Sequence, residues 1–157
     1  NPNIFFWRDK LDSIPSTIKC FDLILVIHTL HHIARSDQLL VLEALKRYMS
    51  ADTILYIYED TWSPEYLPQS FLKDELTNLF FGLSNNKKRL TYSSNEYWSN
   101  KWFYNKSLDT TPDQYRSLNM WLDIVKKLGL KVLETGTEGF NYDRLHGVPA
   151  GWIILKK

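Results

Sequence analysis

Residues Phe21-Asp22-Leu23-Ile24-Leu25-Val26-Ile27 form a continuous run that is apolar but for one aspartate. A strand with one wet face alternates polar and apolar positions, and this run does not. It is therefore expected in the middle of a parallel sheet, covered on both faces. A His-rich turn, His28 to Arg35, follows. Ser36 is placed to cap a helix, with Asp37 in its first turn, where a carboxylate suits the helix dipole. Leu39, Leu42, Leu45 and Met49 then recur at helical spacing, with Glu43, Lys46 and Arg47 facing away. Ser50-Ala51-Asp52 stops the helix. Thr53 to Tyr58, β-branched and aromatic, reads as a second buried strand ending at Glu59-Asp60. A strand, a helix and a strand joined over this length make a parallel β-α-β crossover, which points to an α/β fold.

The flanking segments fit that frame. Asn3 to Trp7 reads as a short buried strand. Leu72, Leu76, Leu79, Phe80 and Leu83 form a helical stripe beyond Pro64 and Pro68. Asn85 to Thr111 is polar, rich in aromatics and without clear periodicity. Ser117 can cap a helix burying Leu118, Trp121, Leu122, Val125 and Leu128, with Gly129 closing it at the C′ position. Leu130 to Thr135 and Gly151 to Leu155 read as two further strands. Neither a repeat nor a linker interrupts the chain, so its 157 residues are expected to belong to one domain.

Composition excludes several classes of function. Lys plus Arg number 19 against 18 Asp plus Glu, a net charge of +1, which leaves no electrostatic footprint for nucleic acid or an anionic membrane. The local basic run Asn85-Asn86-Lys87-Lys88-Arg89 reads as a solvated loop. The single cysteine, Cys20, excludes an intramolecular disulfide and a multi-cysteine zinc site. Beside Phe21 it is expected to be buried and inert. No apolar stretch approaches the roughly 18 residues of a membrane span. No signal peptide is evident, and a cytoplasmic protein is the expectation.

The segment Phe21 to Ile33, reading Phe-Asp-Leu-Ile-Leu-Val-Ile-His-Thr-Leu-His-His-Ile, resembles the fourth strand and following turn of class I S-adenosylmethionine-dependent methyltransferases. Asp9-Lys10-Leu11-Asp12-Ser13-Ile14-Pro15 is similar to that family's loop after its third strand. Arg116-Ser117-Leu118 leading to Trp121, then Leu128-Gly129-Leu130-Lys131-Val132, is similar to its late helix and sixth strand. The resemblance implies a Rossmann-like doubly wound sheet in strand order 3-2-1-4-5-7-6, with the last strand, Gly151 to Leu155, antiparallel. One departure is large. The family's glycine-rich turn after the first strand is missing, and Gly82 is the first glycine of the chain. Residues 1–157 are thus expected to be the C-terminal part of one methyltransferase domain, incomplete at its N-terminus.

The same resemblance implies a function, methyl transfer from S-adenosylmethionine to a small-molecule acceptor. The fragment alone is expected to be inactive, and the acceptor and the oligomeric state are not legible. A non-catalytic methyltransferase-like module, acting as a binding or regulatory partner, is the alternative. Asp9, with Lys10 and Leu11 beside it, falls where the family holds the adenine, although an aspartate there can equally cap local amides. His28 falls near the methionine end of the cofactor, or simply terminates its strand. His28 and His32 are the candidate general bases. The His-x-x-His-His pattern of His28, His31 and His32 invites a metal, but no local carboxylate or cysteine completes a ligand set, and none is expected. Glu59 and Asp60 either face the acceptor or are ordinary strand-end carboxylates. Trp98, Trp102, Phe103 and Tyr104 either shape an acceptor pocket or pack in the core, and His146 lies in the last connection.

Overall fold

The computed structural model describes residues 14, 17–66, 75–101, 111–140 and 148–157. The expected strand at residues 3–7 lies outside these, as do Asp9, Lys10 and Leu11, and Leu72, Trp102, Phe103, Tyr104 and His146.

Among the described residues four strands form one mixed sheet. Strand β1 is Phe21–Ile27, β2 is Met49–Asp60, β3 is Lys131–Thr137 and β4 is Ala150–Lys156. Their order across the sheet is β1-β2-β4-β3. β1 and β2 run parallel, with Ile27 opposite Tyr58, whereas β4 is antiparallel to both β2 and β3. Helix α1, Gln38–Arg47, makes the crossover from β1 to β2. Helices α2, Glu75–Gly82, and α3, Asn85–Ser99, follow β2, and α4, Leu118–Lys127, precedes β3.

One face of the sheet holds the main core. Ile24, Val26, Leu55, Ile57, Ile153 and Leu155 pack there against Leu42 of α1 and Trp121, Leu122 and Val125 of α4. The period-2 alternation that the sequence of β1 lacks is present in its burial. Ile24 and Val26 are buried, whereas Leu23, Leu25 and Ile27 stand 54%, 56% and 48% exposed. The expectation of a strand covered on both faces is corrected accordingly. Among the described residues only the helix-bearing face is covered, and Leu23, Leu25 and Ile27 on the opposite face are exposed.

Local chemistry explains the element ends. Ser117 caps α4 by accepting from the Met120 amide, and Gly129 at φ 69° takes the left-handed turn that closes it. The Lys46 ammonium donates to the Leu128 carbonyl, a cation where the helix dipole favours one. At the start of α1 the sequence expectation fails. Asp37 rather than Ser36 is the N-cap, and the Ser36 hydroxyl donates to Asp37 at 2.9 Å. Met49, expected on the helix, is the buried first residue of β2.

Three further expectations need correction. Cys20, the residue before β1, is exposed. Of the expected stripe Phe80 is buried and Leu83 packs partly against it, but Leu76 and Leu79 are exposed, and Thr77 is buried in their place. The basic run is no loop, for Asn85 opens the longest described helix, α3, and Lys88 is buried. No helix among the described residues is long and apolar enough to cross a membrane.

Gly136 and Gly151 let β3 and β4 come together. Gly136 lies opposite Trp152, and a Cβ on Gly136 would run into the indole ring. Gly136→Ala is expected to cost about 1–3 kcal/mol, the usual range for overpacking. Gly82→Ala, where a Cβ meets nothing within 4 Å, serves as the control. Urea unfolding of both variants checks this, and a Gly136→Ala protein as stable as the parent would refute the placement of Trp152.

Candidate active site

Parallel strands end on the same edge of a sheet, and ligands of doubly wound folds bind there. β1 and β2 deliver His28 and Glu59-Asp60 to that edge. The register that sets Ile27 beside Tyr58 brings these residues together, with the His28 amide donating to the Tyr58 carbonyl at 2.8 Å.

Successive strand residues point to opposite faces, so Glu59 and Asp60 serve different histidines. Asp60 Oδ1 lies 2.9 Å from His28 Nδ1, with the His28 side chain 42% exposed and that of Asp60 11%. The His28 ring also stands edge-on to Tyr58, centroids 5.0 Å apart. Its backbone φ is 45°, making it the positive-φ residue among the described non-glycines. Strained backbone of this kind persists where the surroundings over-determine it, and it clusters at functional sites.

Glu59 is 1% exposed and satisfies three donors. Its Oε1 accepts from the Thr29 and Leu30 amides, each at 2.6 Å, and Oε2 lies 2.7 Å from His31 Nδ1. Thr29 makes no side-chain cap for the 3-10 turn Leu30–His32, so the Glu59 carboxylate caps that turn from across the sheet. Burial opposes a charge on His31, but the Glu59 hydrogen bond outweighs it together with the charges of Glu59, Asp60 and Glu96. The His31 pKa consequently lies above the ordinary 6.5.

Behind the turn, buried polar groups lock the geometry. The His31 ring stacks on Tyr115 at 5.2 Å, Tyr115 on Tyr92 at 5.2 Å, and Tyr92 on Trp62 at 5.6 Å. The Tyr92 hydroxyl sits 2.8 Å from the carbonyls of both Thr61 and Pro149, and burial pushes its pKa far up. The Gln38 amide donates to the carbonyls of Leu30, Ile33 and Gln114, and its oxygen accepts from Arg116 Nε.

Of the residues singled out from the sequence, His28, Glu59 and Asp60 meet at one edge. His32 is exposed, with its ring 4.3 Å from that of His31. Trp98 is exposed, not packed in the core. The buried His31–Glu59 pair is what sequence reasoning missed as a unit. Its signal is a glutamate following the apolar run Ile54 to Tyr58 of β2, but only the register shows which histidine it meets. Among the described residues no group of three metal-ligating side chains comes together.

The described strands lie in the order β1-β2-β4-β3, with β1 and β2 parallel and β4 antiparallel to both its neighbours. No family model matches the chain, and no curated protein does. Solved methyltransferase structures do match. Mitomycin 7-O-methyltransferase MmcR aligns over 96% of this chain and 32% of its own length, with TM-score 0.50 and 17% identity. A SAM-dependent methyltransferase of Leishmania major aligns over 94% of this chain and 43% of its own, with TM-score 0.50 and 11% identity. At such identities the likeness is one of fold, a mixed α/β sheet with flanking helices. The chain spans less than half the length of either protein, 32% and 43%.

Proposed function

We propose that residues 1–157 are part of a methyltransferase domain that transfers the methyl group of S-adenosylmethionine to a small-molecule acceptor. The observation that carries this reading is the pair of histidine–carboxylate contacts at the carboxyl ends of adjacent parallel strands. The fold supports the class of reaction, and the two proteins above are named as methyltransferases. The open apolar face of Leu23, Leu25 and Ile27 supports the view that more of the same domain covers β1.

S-adenosylmethionine supplies an already activated methyl group, so the chain has to bind, orient and move a proton. The site fits a sulfonium, since Asp60 offers negative charge and Tyr58 and His28 offer rings beside it. His28, its Nδ1 held by Asp60, presents the rest of a half-exposed ring to the edge and serves as the general base. His31 and Glu59 hold the turn from which His28 projects and act as positioning residues. His32 is the alternative base. Asp9, with Lys10 and Leu11, would receive the adenine. Balanced charge favours a small acceptor over nucleic acid.

Calorimetry with S-adenosylmethionine tests the reading. The full-length protein is expected to bind it, and residues 1–157 alone to bind it more weakly by several kcal/mol. Asp9→Ala should remove one hydrogen bond worth about 0.5–1.5 kcal/mol, or up to about 3 for a charged acceptor. Affinity then falls from several-fold to about a hundredfold. Unchanged affinity in Asp9→Ala would remove the adenine from that loop. No binding by the full-length protein would favour the non-catalytic module.

A further inference from the structure

Lys88, in the first turns of α3, is 6% exposed. The Phe81 ring lies 5.8 Å from its Nζ, and no hydrogen bond or ion pair to a described residue satisfies the ammonium. A lysine is rarely buried in this way unless something pairs with it, because the desolvation cost is otherwise uncompensated. Burial lowers its pKa, with the Glu65 charge opposing.

Lys88 lines a cavity of about 250 Å³ together with Ser63, Glu65, Asn85, Ser117 and Asn119. Two helices begin at this cavity, α3 at Asn85 and α4 just after its cap Ser117, and neither carries an acidic residue in its first turn. Glu65 opposes the lysine's charge without forming an ion pair with it. Its carboxylate is engaged by the Ser63 hydroxyl and the Asn119 side chain, which hold its pKa down, and it stands exposed. The Asn85 Oδ1 accepts from Trp62 Nε1 at 3.1 Å, which leaves the two amide protons of Asn85 to donate elsewhere. Each helix start contributes about half a positive charge, so Lys88 and the two starts outweigh Glu65 by about one charge.

We propose that this cavity binds a small oxyanion, the carboxylate or phosphate group of a small molecule, held by the Lys88 ammonium, the Asn85 amide and the starts of α3 and α4. The site stands independently of methyl transfer. It absorbs the basic run Asn85 to Arg89, which the edge of the sheet leaves unused.

Thermal unfolding of the full chain is followed in sodium phosphate and in sodium acetate, each against sodium chloride of equal ionic strength. The wild type should gain a saturable rise in midpoint beyond chloride with at least one of the two, and the lower half-saturation identifies the preferred oxyanion. Lys88→Met should lose that response. It should also melt higher than the wild type without added anion, because a thioether replaces an ammonium whose charged form burial disfavours. Glu65→Gln, which removes the opposing charge, should reach half-saturation at a several-fold lower concentration. A wild-type response no larger than that to chloride, a retained response in Lys88→Met, or an unmoved half-saturation in Glu65→Gln overturns the proposal.

Discussion

Glu59→Ala is expected to cost about 3–5 kcal/mol of folding stability, the range for breaking a buried charged pair by removing one partner. Glu59, Leu30 and His31 are 1%, 0% and 3% exposed, so water cannot replace the lost acceptor. The substitution leaves the buried Leu30 amide and His31 Nδ1 unsatisfied at once and removes the acceptor of the part-buried Thr29 amide. Glu59→Gln keeps one oxygen for the two amides and turns a donor toward His31, so about 1–3 kcal/mol is expected. The pH dependence has a definite sign. The folded pKa of His31 is raised, so its charge-dependent contribution is complete below the unfolded value near 6.5 and is lost as pH rises through the folded value. The stability gap between wild type and Glu59→Ala should therefore narrow with rising pH across that window. Urea unfolding at pH values on both sides checks both statements. A Glu59→Ala protein within about 1 kcal/mol of wild type, the scale of an ordinary substitution, would mean that the carboxylate does not hold the turn.

The parts of this chain that could be read from sequence are those decided by neighbours a few residues away. Ser117 and Gly129 bound α4 because a hydroxyl cap and a left-handed glycine act locally. The crossover from β1 to β2 was legible for the same reason, since run length and helical spacing are properties of the segment itself. The apolar run of β1 was read correctly as a strand and wrongly as one covered twice. Hydrophobicity records what a strand is suited to touch, and the described residues supply cover for one face only.

Helix α3 was not legible. Its buried positions are Lys88, Tyr92, Ser93 and Ser99, which make no apolar stripe. What holds it is a stack, Trp62 on Tyr92 on Tyr115, whose members are far apart in the chain. The site shows the same division. That His28, Glu59 and Asp60 lie at strand ends follows from the sequence. That Asp60 takes His28 while Glu59 takes His31 depends on the pairing of Ile27 with Tyr58 and on the alternation of faces beyond it. A one-residue slip would exchange the partners.

His28→Asn is expected to lower the rate of methyl transfer by about 10²- to 10⁴-fold, the usual contribution of a positioned general base, with a smaller loss of cofactor affinity. Asparagine is the suitable replacement. His28 has φ 45°, and asparagine tolerates the left-handed region better than other residues with a Cβ, so the turn should survive. The base assignment rests on the contact of 2.9 Å between His28 Nδ1 and Asp60, which fixes the ring while leaving it half exposed. Asp60→Asn replaces the carboxylate that holds His28 Nδ1 at 2.9 Å, so the ring is less firmly oriented and the rate should also fall. His32→Asn, measured alongside, separates the two candidate bases. Single-turnover transfer from labelled S-adenosylmethionine to an acceptor found by screening small hydroxyl and amine compounds provides the readout, with unfolding curves confirming that each variant is folded. An unchanged rate in His28→Asn together with a loss in His32→Asn would move the base to His32, and unchanged rates in both would remove histidine from the proton transfer.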